Sequence, residues 1–220
     1  MDGVAFMKKR LAVLFGCSEE GFFQKDILEF YAFLNSEQGG FWDGSEIAVV
    51  PQKIDAKRLD RILYELFSDH IDFLLCYFCG NGNDTLTRAG FTFGGAEFEL
   101  KDIVDTAPHQ LTIFDSCENF CSGERASDFF ETLPMYENRN PAPANFFAEI
   151  PGNLFFTGCR QNSHPVLSET GSGVYTNGFL AYLNDSKGGK PDFFAADKNA
   201  NFECEIARVS AEMTLEREIV

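Results

Sequence analysis

The sequence is short of basic residues and has no long hydrophobic run, and each shortage excludes a class of partner. Its 220 residues include 18 lysines and arginines against 34 aspartates and glutamates, which gives a net charge of −16 at pH 7. Nucleic acids and anionic membrane surfaces are themselves polyanions, so we expect neither as a partner. No segment approaches the roughly 20 consecutive apolar residues of a membrane-spanning helix, so we predict no transmembrane segment.

Histidine is scarce, and the cysteines do not suggest a disulfide scaffold. The chain has three histidines and seven cysteines, an odd number spread over a long sequence. Such a pattern favours a reducing compartment. The apolar stretch at 11–15 is shorter than the hydrophobic core of a signal peptide, so we predict a buried strand there and a cytoplasmic protein.

Two apolar runs organise the rest of the chain. Residues 71–78 lead into a Gly-Asn-Gly sequence at 80–82, and residues 111–114 lead into Asp-Ser-Cys at 115–117. Uninterrupted apolar strands are typical of parallel sheets that are covered by helices on both faces. Chemistry in such sheets lies beyond the carboxyl ends of the strands. We therefore predict a site where 80–82 and 115–117 emerge side by side.

The order of the elements predicts an α/β domain. Strands at 11–15, 46–50 and 71–78 alternate with helices at 24–35 and 56–68, and Asp55 is a good N-cap for the second helix. This βαβαβ order requires right-handed crossovers and a mostly parallel sheet. Further predicted elements are a hairpin at 90–100, a helical turn at 101–106, strands at 111–115 and 153–158, and helices at 173–183 and 202–217. We predict a single domain over 1–220 with its core at 10–183, in which 122–149 is either a helix and loop or a mobile insert.

Three short motifs, in the right order and spacing, resemble one enzyme family. Residues 77–82, Tyr-Phe-Cys-Gly-Asn-Gly, are similar to the Tyr-Phe-Ser-Gly-His-Gly strand end of caspases, metacaspases and paracaspases. Residues 115–117 resemble the Asp-Ser-Cys of the metacaspase nucleophile strand, and 173–180 resemble the Gly-Val-Phe-Thr start of a later helix. The resemblance implies a caspase-like three-layer sandwich and a cysteine endopeptidase that acts on a peptide or protein substrate.

The resemblance also implies roles for individual residues. Cys117 would be the nucleophile, and the backbone N–H groups of Gly82 and Cys117 would form the oxyanion hole. Asp115 matches the acidic residue of the pocket for a basic P1 side chain. From its position alone, Asp115 could equally be a hydrogen-bonded carboxylate at a strand end. No cofactor is implied, and Asp84 is the only nearby candidate for calcium, so we predict no metal.

The sequence departs from the family at the position of the catalytic histidine, which is Asn81. An amide cannot take the thiol proton or protonate the leaving amine, and losing one member of such a pair typically costs about 10³-fold in rate or more. His70 and His109 precede strands and should lie at the far edge of the sheet, so His164 is the only plausible substitute. The chain could also carry a change that was introduced to trap a working enzyme.

Other readings stay open at this stage. The fold could serve a catalytically inactive binding or scaffolding module, or the chain could be an unrelated doubly wound domain with a small-ligand site. Cys76 and Cys79, with Cys117 and Cys121, have the spacing of zinc half-sites. Alternate strand residues face opposite sides, however, so Cys76 and Cys79 should not converge. Cys79 and Cys117 both lie at strand tips, so oxidation between them is a further alternative, and the chain could form an oligomer.

Overall fold

The computed structural model describes residues 9–16, 21–50, 54–85, 88–93, 96–99, 106–117, 152–158, 172–185 and 192–218. Within these ranges the elements are β1 Arg10–Gly16, α1 Gly21–Asn35, β2 Ile47–Val50, α2 Ala56–Phe67, β3 Phe73–Thr85, β4 Arg88–Phe93, β5 Ala96–Glu99, β6 His109–Cys117, β7 Asn153–Thr157, α3 Val174–Asp185 and α4 Phe193–Glu218. A short 3-10 helix, Gly44–Glu46, precedes β2. None of the helices in this part of the chain is long and apolar enough to cross a membrane.

Five strands form a parallel sheet in the order β2-β1-β3-β6-β7. The far end of β3 leaves this sheet and pairs antiparallel with β4, which in turn pairs with β5. The predicted α/β class with a mostly parallel sheet is confirmed. The hairpin predicted at 90–100 is also present, although its first strand begins earlier, at Arg88.

Helices cover both faces of the sheet, because successive strand residues point to opposite sides. On one face, residues such as Leu14 and Tyr77 form a hydrophobic cluster with α1, α3 and α4. On the other face, Val13 and Phe78 lie in a second cluster, to which α2 contributes the buried Leu59. The three-layer arrangement predicted from the apolar strands is therefore confirmed.

The two helices that precede β2 and β3 follow their sequence patterns to different degrees. Asp55 is the N-cap of α2, and its side chain accepts a hydrogen bond from the Arg58 backbone N–H at 2.9 Å, as predicted. In α1 the helical spacing of the apolar residues predicts Leu28 on the buried face, but Leu28 is 37% exposed, so that prediction was wrong. Phe30 and Phe33 are buried instead. The buried face of α1 is therefore rotated toward 26, 30 and 33.

Arg10, at the start of β1, binds the turn after α1 through several hydrogen bonds. Its guanidinium makes two hydrogen bonds to Glu46, at 2.8 and 2.7 Å, and it also donates to the carbonyl oxygens of Gly40 and Phe41. Its Cζ atom lies 4.6 Å from the centre of the buried Trp42 ring. A cation with this many partners holds the amino-terminal edge of the sheet in place.

The same turn requires glycine for two separate reasons. A Cβ on Gly39 would lie 1.8 Å from the backbone oxygen of Phe33, which is far inside contact distance. Gly40 has a φ of 93°, in the left-handed region that glycine adopts most readily. Helix α1 ends at Asn35, so this pair of glycines lies in the turn that follows the helix.

The lengths of several elements differ from the prediction. Strand β3 runs for 13 residues to Thr85, instead of ending at 78, because residues 82–85 find a new partner in β4. Helix α4 has 26 residues and begins at Phe193, well before the predicted 202. The insert at 122–149, most of the helical turn at 101–106, His164 and Cys121 lie outside the described residues. The single-domain assignment over 1–220 stays a prediction.

Candidate active site between β3, β6 and the start of α3

Positions 81 and 117 are direct neighbours in the sheet. The parallel register pairs Cys79 of β3 with Asp115 of β6, and two residues further on it pairs Asn81 with Cys117. Adjacent strands in a sheet lie about 4.8 Å apart. Both positions lie within paired strands at the carboxyl-terminal end of the parallel sheet, and Gly82 is the residue at which β3 begins to pair with β4.

Asp115 is buried near the end of β6 and is held by the first turn of α3. Its exposed fraction is 8%. The Oδ2 atom accepts a hydrogen bond from the Thr176 hydroxyl at 2.6 Å, and the Thr176 backbone N–H also donates to this carboxyl. The Tyr77 hydroxyl of β3 lies 2.6 Å from the same Thr176 hydroxyl. Asp115 is therefore a hydrogen-bonded strand-end carboxylate, the simpler of the two readings of the sequence, and its place beside Cys117 is also compatible with the second.

A second carboxyl, Asp26 of α1, lies at the same place, and the sequence analysis missed it. Asp26 is fully buried, and its Oδ1 atom accepts a hydrogen bond from the Gly173 backbone N–H at 2.8 Å. Its Oδ2 atom is buried and has no hydrogen-bond partner among the described residues. A signal was present in the sequence, because Asp26 precedes Phe30 and Phe33 by four and seven residues and so shares their buried face.

Gly173 is the point at which the two carboxyls meet α3. A Cβ on Gly173 would lie 3.1 Å from Asp26 Oδ2 and 3.2 Å from Asp115 Oδ2. The first turn of a helix exposes backbone N–H groups that lack partners within the helix and carries a partial positive charge. Here those donors are used by carboxylates from two other elements, in place of a capping side chain of the helix itself.

Burial raises the pKa of both carboxyls. The pKa of Asp26 rises from 3.8 to about 8, mainly because burial removes water from the charged form and also because Asp115 is nearby; the Gly173 N–H acts in the opposite direction. Burial raises the pKa of Asp115 to about 6, and the hydrogen bonds from Thr176 act against that rise. Both carboxyls are therefore protonated more readily than an exposed aspartate, and because they are neighbours they titrate as a pair.

The two histidines that the structure describes lie at the opposite edge of the sheet. His109 is the first residue of β6 and pairs with Phe73, the first residue of β3. His70 is exposed, and its Nε2 lies 3.2 Å from Asp72. Six residues of strand separate His109 from Asp115, a distance of roughly 20 Å. Neither histidine can act at Cys117.

The cysteines described by the structure do not form a ligand set. Cys76 and Cys79 are both buried, but they lie in the clusters on opposite faces of the sheet. The Cys79 thiol is 3.7 Å from the Phe15 carbonyl oxygen. In the described part of the chain no group of three or more histidine, cysteine or acidic residues is placed to hold a metal ion.

Comparison with known proteins gives a match by structure alone. No protein-family model and no curated protein sequence matches the chain. The crystal structure of caspase-1 from Spodoptera frugiperda matches with a TM-score of 0.55 at 10% identity, over 90% of this chain and 77% of that chain. The structure of pro-sf-caspase-1 matches with a TM-score of 0.55 at 11% identity, over 89% of this chain and 80% of that chain. At these identities the likeness establishes the fold, so the chain has a caspase-like α/β fold.

Proposed function

We propose that this chain is a caspase-fold cysteine endopeptidase homologue, in which Cys117 is the nucleophile and cleavage follows a basic residue. Its activity is low or absent because Asn81 stands at the position of the general base. One observation carries the proposal: the register of β3 and β6 pairs Asn81 with Cys117 and has Asp115 two residues away. In a caspase-like fold this is where the nucleophile and its base would meet.

The chemistry of the proposed reaction shows where the chain is deficient. The Cys117 thiol must lose its proton before the sulfur can attack the carbonyl carbon, and the leaving amine must then gain one. The backbone N–H groups of Gly82 and Cys117 would bind the oxygen that becomes negative. Asn81 can do neither proton transfer, so acylation would depend on the small fraction of thiolate present at neutral pH. His164 is the proposed substitute base.

Asp115 and Asp26 together support a basic P1 residue. Both carboxyls are buried, and the bare Oδ2 atom of Asp26 has a hydrogen-bonding capacity that a guanidinium could fill. A guanidinium presents several N–H donors and pairs with carboxylates through charge-assisted hydrogen bonds. Its positive charge would lower the pKa of both acids and release the proton that they hold.

A covalent peptide probe tests the proposal directly. The protein is incubated with a peptidyl acyloxymethyl ketone that carries arginine at P1, and the adduct is located by peptide mass spectrometry. We expect slow labelling of Cys117, labelling at least 10-fold faster after Asn81→His, and none after Cys117→Ala. The matched control is the same probe with citrulline, which keeps the shape of arginine without its charge. Equal rates for the two probes would contradict the basic P1 preference.

The second candidate function is a non-catalytic binding or scaffolding module on the same fold. Asn81 favours it, because the residue keeps a polar side chain at the site but removes the base. Failure of the probe to label Cys117, even in Asn81→His, would favour this candidate. The third reading of the sequence, an unrelated domain with a small-ligand site, would be favoured if Asn81 and Cys117 were far apart, but the two residues are paired in the sheet. The strand register does not support it.

The proposal extends to the substrate class, the cellular location and the site at which a protease cuts first. We propose peptide or protein substrates, a cytoplasmic location and an insert at 122–149 that is cut first in limited proteolysis. Initial cleavage elsewhere would contradict the last of these. A self-association measurement by analytical ultracentrifugation would determine whether the chain forms an oligomer.

A further inference from the structure

Two hydrogen bonds connect three buried side chains between β3 and the carboxyl pair. The Tyr77 hydroxyl lies 2.6 Å from the Thr176 hydroxyl, which donates to Asp115 Oδ2 at 2.6 Å. All three residues are buried. They come from β3, α3 and β6, so these hydrogen bonds connect the central strand to the helix and to the strand that carries Cys117.

The donor and the acceptor in each of these two hydrogen bonds follow from the number of hydroxyl protons that are available. A threonine hydroxyl has one proton to donate. Thr176 gives that proton to Asp115, so the contact with Tyr77 must be one in which the Tyr77 O–H donates and Thr176 accepts. Consecutive hydrogen bonds that point the same way polarise one another and strengthen the last bond. The two hydrogen bonds together therefore stabilise a negative charge on Asp115.

Asp26 has no comparable support. Its Oδ1 atom receives one backbone N–H, from Gly173, and its Oδ2 atom receives none. Hydrogen bonds to a carboxylate favour the charged form, whereas burial without them favours the protonated form. Two neighbouring acids in environments as different as these separate into one charged and one neutral partner.

We infer that Thr176 is a positioning residue: its hydroxyl, oriented by Tyr77, makes Asp115 the member of the pair that carries the negative charge and leaves the proton on Asp26. The inference deepens the proposed function and rests on it, because a fixed charge at Asp115 would select a basic P1 side chain. It predicts that the pair of Asp26 and Asp115 remains singly charged across neutral pH.

Other charged and titratable groups surround the pair and are common to every variant in the test. On α1, Lys25 lowers and Glu29 raises the pKa of Asp26. On β3, Cys79 faces the Tyr77 hydroxyl. On α3, Tyr175 is turned toward α4, where its hydroxyl donates to Asp197 at 2.7 Å. None of these groups donates a proton to Asp115 in the described structure, so the Thr176 hydroxyl can be varied on its own.

The direct test follows the two carboxyls by NMR in protein labelled with ¹³Cγ-aspartate. Asp26→Asn and Asp115→Asn assign the two resonances. Thr176→Val removes the hydroxyl but keeps the side-chain shape and the backbone N–H, and Thr176→Ser is the matched control because it keeps the hydroxyl. We expect the Asp115 midpoint to rise by about one pH unit or more in Thr176→Val, and to stay near the wild-type value in Thr176→Ser. Tyr77→Phe should shift it in the same direction by less.

A ligand measurement links the charge to recognition. Agmatine, a small guanidinium compound, is titrated into each variant at pH 7 and at pH 9. We expect Thr176→Val to bind at least about twofold more weakly than the wild type at pH 7, because a rise of one pH unit from about 6 leaves roughly half of Asp115 ionised, with a smaller difference at pH 9, where both acids are ionised. A purely structural role for Thr176 would weaken binding equally at the two pH values.

The outcomes separate the inference from the proposed function. An unchanged Asp115 midpoint in Thr176→Val overturns the inference whatever agmatine does, and so does an equal shift in Thr176→Ser. If the midpoint moves as expected but wild-type agmatine affinity does not depend on Asp115, the basic P1 preference fails and the charge assignment stands. A moved midpoint together with pH-dependent loss of agmatine supports both.

Discussion

The most informative single change is Asp26→Asn, and its effect on stability should depend strongly on pH. Burial raises the pKa of Asp26 from 3.8 to about 8, so the folded protein binds this proton more tightly than the unfolded chain does. A raised carboxyl pKa contributes stability that is complete below about pH 4 and is lost as the pH rises toward 8. At 1.36 kcal/mol for each tenfold change in proton affinity, the loss is at most about 6 kcal/mol over that range.

The asparagine variant cannot ionise, so it should escape this loss. Its amide oxygen can still accept from the Gly173 N–H, and its NH₂ group adds donors where the Asp26 Oδ2 atom has no partner. Compared with the wild type, we expect Asp26→Asn to gain roughly 2–3 kcal/mol between pH 5 and pH 7 in the free energy of unfolding.

Urea unfolding at pH 5, 6, 7 and 8 measures this difference, with circular dichroism as the signal. Asp60→Asn is the control, because Asp60 is exposed on α2 and should show no comparable pH-dependent gain. A difference between Asp26→Asn and wild type that is flat across the range, or that falls as the pH rises, would refute the account of the buried pair given above.

Three further changes test the framework around the site, each by urea unfolding at pH 7. Arg10→Ala removes a partly buried salt bridge and two contacts with carbonyl oxygens, so it should lower the free energy of unfolding by about 2 kcal/mol. Its control is Lys9→Ala, at an exposed ion pair, which should cost less than about 0.5 kcal/mol. Gly39→Ala places a Cβ 1.8 Å from a backbone oxygen, so it should lower the free energy of unfolding by more than about 3 kcal/mol or prevent folding. Its control is Gly152→Ala, whose Cβ meets no atom within 4 Å and which should cost about 1 kcal/mol through its φ of +65° alone. Asp55→Ala removes the N-cap of α2 and should cost about 1 kcal/mol, while an effect below about 0.3 kcal/mol would show that the cap is unimportant.

The strand pattern was the part of the sequence that could be read with most success. Apolar runs at 11–15, 71–78 and 111–114 became β1, β3 and β6, and their parallel pairing brought positions 81 and 117 together. The length of β3 could not be predicted, because the pairing of 82–85 depends on β4, a strand that approaches from further along the chain. Local periodicity cannot show where a strand will find a second partner.

Asp26 illustrates the same limit at the site. Its spacing from Phe30 and Phe33 predicts that Asp26 lies on the buried face of α1, where a carboxylate is unusual. Its partner could not be read from that spacing. The hydrogen bond to Gly173 spans 147 residues of sequence, and the bond between Thr176 and Asp115 spans 61.

The sequence by itself determined the α/β order, the two-sided burial of the sheet and the positions that meet at β3 and β6. These follow from the alternation of apolar runs with helical periodicity and from the polar residues at the end of each run. Only the tertiary structure decided that Asp26, Asp115 and the first turn of α3 form one buried group. That meeting depends on how helices from both ends of the chain pack on the same face of the sheet. The pKa values of the two acids depend on the burial that results.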